Sequence, residues 1–269
     1  MMFSPALGVS LHSLAKPVND DMLAALSDSG IRTAEIYTTP LLKGVDRGHE
    51  RLAAAMLQAG IRPMTIHADF GAGIDPSNPA TTAAALASLR QALADARFFK
   101  APMVVIHASS EPISAADRPA RLECSLQTLA ELSAEFRQAG VKMAIELLPR
   151  SCIGNCLVEL ERFVERLGND VCGVCLDVNH GMDQYAHLHQ WVKALGKNLI
   201  TLHLSDYDGI DEKHWLPGKG VIDWPAFMAA LRGIGYGGPF NFEVSVPGES
   251  PRARIAALAS AMHWLSKWS

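Results

Sequence analysis

No run of about 18 uninterrupted apolar residues occurs along the chain, so no membrane-spanning helix is expected. Charge is sparse and scattered. Charged residues make up 19% and the net charge is −4, with no concentration of Lys and Arg to receive a polyanion. Nucleic acid is therefore not an expected partner. The beginning, Met1-Met2-Phe3-Ser4-Pro5, lacks a cationic segment leading into a long apolar run. No signal peptide is expected, and the cytoplasm is the expected compartment. Cysteines number only five: Cys124, Cys152, Cys156, Cys172 and Cys175. Cys172 and Cys175 fall in a segment that reads as a strand, where positions three apart face opposite sides. A shared zinc is thus not expected, and reduced thiols are. The first strand–helix turn also lacks a Gly-x-Gly-x-x-Gly fingerprint, which counts against an open doubly wound sheet.

What is present is a large apolar fraction, 49% of 269 residues, at a length close to the ~250 typical of a (β/α)8 barrel. Short apolar segments predict strands at residues 7–11, 33–37, 63–67, 102–107, 141–146, 171–177, 199–203 and 240–243. Helical patterns predict helices at 20–28, 50–59, 81–99, 121–139, 158–167, 188–195, 224–232 and 252–264. Pro79 and Pro225 open two of them, and Gly30, Gly60 and Gly140 stand between a helix and the next strand. The repeat strand, loop, helix, Gly, strand marks βαβ units with parallel strands. No composition break divides residues 1–269. The expected fold is one α/β domain, a closed (β/α)8 TIM barrel with outer helices.

Parallel strands buried on both faces are nearly all hydrophobic. Six of these eight nevertheless end in a group able to bind a metal: His67, His107, Glu146, Asp177, His203 and Glu243. In a parallel barrel the strand C-termini open onto one face, so these groups converge. A single His or carboxylate at such a position is commonly a hydrogen-bonded core residue, a helix cap or an Arg partner. Three carboxylates at one mouth would repel strongly, and a divalent cation resolves that repulsion. Two Glu, one Asp and one His form an oxygen-rich set suited to one Mn²⁺ or Mg²⁺ ion, with Co²⁺ or Zn²⁺ also compatible.

In order and spacing the chain resembles the xylose isomerase-like TIM barrel superfamily, which contains sugar isomerases and epimerases and the endonuclease IV type of AP endonuclease. The segments that carry the resemblance are Ala144-Ile145-Glu146, Asp177-Val178-Asn179-His180, His203-Leu204-Ser205-Asp206, the stretch from Leu216-Pro217-Gly218 to Asp223-Trp224, and Phe242-Glu243. The resemblance implies a metal site of Glu146, Asp177, His203 and Glu243. It also implies proton transfer by Glu146 and Glu243, and a substrate hydroxyl held by His180. His67, His107 and His214 are expected to line the substrate pocket.

The implied reaction is isomerisation or epimerisation of a sugar or sugar phosphate through a cis-enediolate. It needs two acid/base groups on opposite sides of the substrate, as strands five and eight can supply. The expected partner is a small carbohydrate, and relatives form homodimers and homotetramers. Three alternatives stay open. A nuclease with three zinc ions would recruit His67, His107, His180 and His214, with Glu212 where that branch has Asp. A lyase acting on oxidised glycosides would share the proton abstraction. A non-catalytic metal- or sugar-binding barrel would not need both Glu.

Several further residues face the same mouth. Glu35 and His12 could bind a substrate hydroxyl or serve as salt bridge or cap. Phe70 and Trp215 are candidate pocket wall, whereas Trp191 reads as helix packing. Arg150, Ser109 and Ser110 lie where a phosphate could bind. Lys219 replaces an acidic residue of the relatives, and Ser205-Asp206-Tyr207-Asp208 stands where some epimerases carry an Arg, so neither role transfers.

Overall fold

In a computed structural model, residues 5–268 are described; residues 1–4, on which the reading of the chain's beginning partly rested, lie outside them. Eight strands form a closed barrel in sequence order: β1 (Leu7–Ser10), β2 (Thr33–Tyr37), β3 (Arg62–His67), β4 (Met103–Ile106), β5 (Lys142–Glu146), β6 (Cys172–Asp177), β7 (Leu199–Leu204) and β8 (Phe240–Phe242). Every neighbouring pair is parallel, including the closing pair β1 and β8. The expected barrel is therefore the fold, and all eight expected strands are present.

The outer layer comprises α1 (Asp20–Leu26), α2 (Thr38–Leu42), α3 (Gly48–Ala59), α4 (Thr82–Phe99), α5 (Arg118–Ala139), α6 (Leu157–Leu167), α7 (Leu188–Leu195), α8 (Trp224–Gly233) and α9 (Pro251–Leu265). Local chemistry sets their ends. The Asn19 side chain accepts from Met22 N at 2.9 Å, Asp223 from Ala226 N at 3.0 Å, and Ser250 from Ala253 N at 3.3 Å. Gly60 and Gly140 close α3 and α5 at φ of 69° and 66°, conformations that cost a side chain steric energy. Only α2 was not anticipated, since five residues are too few to show helical periodicity. Among the described residues no helix is long and apolar enough to cross a membrane.

The main apolar core lies between strands and helices, while Val105, Ala144 and Cys175 form a small apolar group of their own. All five cysteines are unpaired. Near the C-terminal ends of the strands, three segments stop short of the expected lengths. β1 turns into a 3-10 segment at Leu11–Ser13, β4 ends at Ile106, and β8 ends at Phe242. His107 and Glu243 consequently stand one residue beyond their strands, at the start of the loops.

The longest of those loops joins β7 to α8, and a single carboxylate organises it. Asp206 is fully buried and accepts from Gly218 N (2.7 Å), Lys219 N, Tyr207 N, Ile222 N and Trp224 Nε1 (each 3.0–3.2 Å). This accounts for the Pro-Gly-Lys-Gly stretch without a role for the Lys219 side chain. Asp206→Ala would strand several buried donors, each costing about 1–3 kcal/mol. We expect a stability loss of at least about 3 kcal/mol in denaturant unfolding. A loss below about 1 kcal/mol would show that water replaces the carboxylate and that the loop does not depend on it.

Candidate active site

The strand tips bring one ligand atom each from Glu146, Asp177, His203 and Glu243 to within 4.8 Å of one another, a spacing that can hold a cation. His203 is the hub. Its Nδ1 stands 2.8 Å from Glu243 Oε2, 3.3 Å from Glu146 Oε1 and 3.7 Å from Asp177 Oδ2. Asp177 divides its labour: Oδ1 accepts from Asn179 N at 2.7 Å and His180 N at 3.3 Å, while Oδ2 is buried without a hydrogen-bond partner. Glu146 Oε2 lies 3.1 Å from His107 Nε2 and 3.3 Å from His67 Nε2, yet neither contact is directed as a hydrogen bond. The orphaned Asp177 Oδ2, beside His203 Nδ1 and two further carboxylates, is the kind of buried oxygen that a bound cation would satisfy. The residues present fit a divalent ion.

Without an ion, protons balance the charge. Burial alone would raise the Glu146 and Glu243 carboxyls, but the facing histidines hold both well below the usual range. Burial would likewise lower His203, yet the carboxylates around it hold the ring well above its ordinary value. His67 and His107 share Glu146 and diverge. Burial opposes charge on both; the close Glu146 carboxylate carries His67 up to about 9, whereas burial wins at His107 and lowers it.

Glu35 occupies a different place from the expected substrate contact. It is fully buried below the cavity, with Ser10 Oγ donating to Oε1 and Thr65 Oγ1 donating to Oε2, both at 2.9 Å. His203 Nε2 lies 3.0 Å from the same Oε2. A register shift against β3 falls between Ala34 and Glu35, where a bulge re-aims a side chain. Glu35 thus takes the Nε2 hydrogen and turns Nδ1 toward the three other carboxylates, the arrangement by which outer carboxylates orient metal-binding histidines. Ser10 and Thr65, which buttress it, escaped sequence reasoning; the signal was a polar side chain inside each strand.

Above the cluster opens a cavity of about 970 Å³. His67, His107, His180 and His214 all line it, as do His12, Phe70 and Trp215. Phe70 is 48% exposed and stacks on His107 with ring centroids 4.1 Å apart, forming an apolar wall. Trp191 is buried in α7 away from the lining. His12 contacts Glu243 Oε1 at 3.6 Å, and burial lowers it to about 4. His180 Nδ1 lies 2.9 Å from Leu147 O, while Nε2 faces Glu212 Oε2 at 3.5 Å. Arg150 is already matched by Glu111, Asp211 and Glu212, which removes it as an uncommitted phosphate ligand. Ser109 Oγ accepts from Ile153 N, and the Ser110 backbone N–H donates to Asp75, so the Ser109 hydroxyl and the Ser110 amide serve loop structure.

Two outcomes follow for this cluster. Glu35→Gln should weaken Mn²⁺ binding by about 10–100-fold while leaving the fold intact, measured by calorimetry and circular dichroism. Unchanged affinity would mean that His203 needs no brace. Mn²⁺ binding should also release about one proton, because His203 must give up the proton its carboxylates hold. Apparent affinity should then rise with pH. Calorimetry in buffers of different ionisation enthalpy reads this directly, and zero release would contradict a charged His203.

Residues 23–268 match the family described as xylose isomerase-like TIM barrel. An inosose isomerase of Bacillus subtilis is 28% identical over 130 residues, 46% of this chain and 47% of that protein. The chain spans about half the length of the curated relatives it matches. Among solved structures, a D-tagatose 3-epimerase-like protein superposes with a TM-score of 0.81 at 19% identity, covering 97% of this chain and 98% of that one. The IOLI protein with a bound zinc atom superposes at 0.80 and 18% identity, covering 98% and 99%. The match across 23–268, on a closed barrel of eight parallel strands, establishes that the chain belongs to the xylose isomerase-like TIM barrel family.

Proposed function

We propose that the protein is a divalent-metal-dependent isomerase or epimerase of a sugar or sugar derivative, moving a carbon-bound proton between Glu146 and Glu243. One observation carries this reading. Each of the two glutamates puts one oxygen into the cluster around His203 Nδ1 and turns the other away, Glu146 Oε2 toward His67 and His107, Glu243 Oε1 toward His12. A substrate held in the cavity between them meets a carboxylate on either side. That is the requirement for removing a proton from one face and returning one to the other.

The donors Glu146, Asp177, His203 and Glu243 would hold the ion. Three carboxylates and one imidazole favour Mn²⁺, with Mg²⁺, Co²⁺ and Zn²⁺ compatible. Bound there, a divalent cation supplies Lewis acidity to the substrate's carbonyl oxygen. The protein side chains do the rest. Glu146 and Glu243, low in pKa in the metal-free cluster, serve as bases toward a C–H made acidic by the adjacent carbonyl, giving a cis-enediolate. His180 and His214, both at the cavity wall, offer ring N–H groups to substrate hydroxyls. The Phe70–His107 stack covers an apolar face and limits water.

A second reading rests on a separate observation. His180, Glu212 and His214 also bring ligand atoms within 4.8 Å, and His67 and His107 flank Glu146, so the mouth has donors for more than one cation, as in the nuclease branch. Metal counting separates the two. The isomerase reading expects about one tightly bound divalent ion per chain and loss of activity on chelation. Three zinc ions with cleavage of abasic DNA would replace it. His203→Ala and Asp177→Asn should lose the ion, whereas His67→Ala and His107→Ala should retain it and weaken substrate binding.

The paired carboxylates give the sharper test. In heavy water, the protein with a substrate ketose should place deuterium on the carbon beside the carbonyl. Glu146→Gln and Glu243→Gln should each slow turnover by about 10²–10⁴. Their effects should be far from additive, because a relay missing either end is already broken. A double Gln variant exchanging deuterium at the parent rate would eliminate the mechanism.

A further inference from the structure

The cavity's charges do not cancel at its edge. Four acids line it, and each is faced by a partner: Glu146 and Glu243 by histidines, Glu111 and Glu212 by Arg150. Four cations line it too. Arg150 is neutralised by its three acids, and Lys213, though without a carboxylate within 4.0 Å, directly follows Asp211 and Glu212 in the same loop. Lys16 and Arg254 differ. Among the described residues neither has a carboxylate within 4.0 Å. Arg254 is partly buried, and its Nη1 donates to Leu14 O at 2.7 Å and its Nε to Gly248 O at 3.1 Å. A loop clamp explains those two contacts but not a partly desolvated guanidinium without a counter-charge.

The two cations belong to one side of the mouth. Arg254 grips Leu14, two residues before Lys16, and it stands in the first turn of α9, whose N-terminal dipole adds positive potential. Lys16 lines the same cavity as His12, four residues earlier on the same loop, and His12 stands 3.6 Å from Glu243 Oε1. The uncompensated charge therefore flanks the Glu243 side of the reacting centre.

On the reading given under Proposed function, we infer that the substrate carries an anionic group, a phosphate ester or a carboxylate, received by Lys16 and Arg254 at the rim between β1 and β8. A guanidinium fixed by two carbonyls presents its remaining N–H groups in the planar geometry that suits either anion, with Lys16 as a flexible point charge. The volume accommodates this. About 970 Å³ lies at the upper end of small-molecule pockets, leaving room for a substituent beyond the carbons that react.

The probes are D-fructose, D-fructose 6-phosphate and D-fructuronate, which differ only at C6, offered to the Mn²⁺-loaded full chain and followed by calorimetry. At least one anionic ketose should bind about tenfold or more tightly than fructose, and the stronger of the two identifies the anion. Lys16→Gln and Arg254→Gln should each cut that preference about tenfold, the size expected for one charge-assisted contact. Lys16→Gln guards the test, because Lys16 is exposed and holds no loop, whereas loss of Arg254 could loosen residues 14 and 248. Fructose bound as tightly as both anions, no binding of either anion, or an unaltered preference in Lys16→Gln would overturn the inference. Deuterium exchange keeps the two claims apart. Selective anion binding through Lys16 without exchange at C1 or C3 would sink proton transfer and leave the anion site standing. Exchange with a preference for fructose would do the reverse.

Discussion

The contact between His203 Nε2 and Glu35 Oε2, 3.0 Å long and wholly buried, decides which ring nitrogen the cavity meets. Imidazole can present either nitrogen, and only a fixed partner on one selects the other. Glu35 can be that partner because Ser10 and Thr65, from the strands on either side of β2, satisfy its oxygens. Without those two donors a buried carboxylate would take up a proton or draw His203 toward itself. Hydroxyls on β1 and β3 thus set the orientation of a ring on β7. The tips of β5, β6 and β8 can then treat His203 Nδ1 as a common vertex.

The loops extend the same logic outward. Asp206 gathers five donors and shapes the segment that carries Glu212, His214 and Trp215. Arg150, after β5, bridges to Glu111 after β4 and to Asp211 and Glu212 after β7. His214 sits at φ 47°, and its Nδ1 lies 3.3 Å from both Ser205 Oγ and Glu243 O. Non-glycine residues rarely adopt that backbone conformation, so the surrounding contacts over-determine it. Rigid strand ends position the carboxylates, and polar latches between loops position the histidines.

The barrel and the four-residue cluster were legible because both leave periodic signals. Apolar runs that end on Glu146, Asp177 or His203 mark strand tips, and parallel topology forces those tips together. Glu35 was read only as one of several polar groups at the mouth. Its role depends on depth: β2 runs past it to Tyr37, which puts Glu35 beneath the cavity rather than at its rim. A sequence shows that a carboxylate lies in a strand but not how far the neighbouring strands rise around it. Arg150 was only partly legible for a related reason. Its position beside the mouth was readable, but its three acidic partners come from loops whose approach is purely tertiary. Arg254 and Lys16 carried no local signal, being ordinary charges in a helix and a loop.

Those tertiary pairings also bear on what the mouth can bind. The donors His180, Glu212 and His214 are close enough to suggest a second cation, and donor identity alone does not decide against it. Electrostatics does weigh in. The hydrogen-bonding environment of His180 and His214 holds the Glu212 carboxyl far below its ordinary range, and Arg150 adds to the effect. Glu212 is thus stable as an anion, but its charge is already shared with a guanidinium fixed by two further acids. Arg150 pairs with Glu212 Oε1 while Oε2 faces the two histidines, so a cation entering there meets a guanidinium on the same carboxylate, whereas one entering at His203 meets none. The two clusters present similar donors at similar spacing and differ in the counter-charge behind them. That counter-charge favours the His203 cluster over the Glu212 cluster as a place for a cation, which supports the substrate-facing role proposed for His180 and His214.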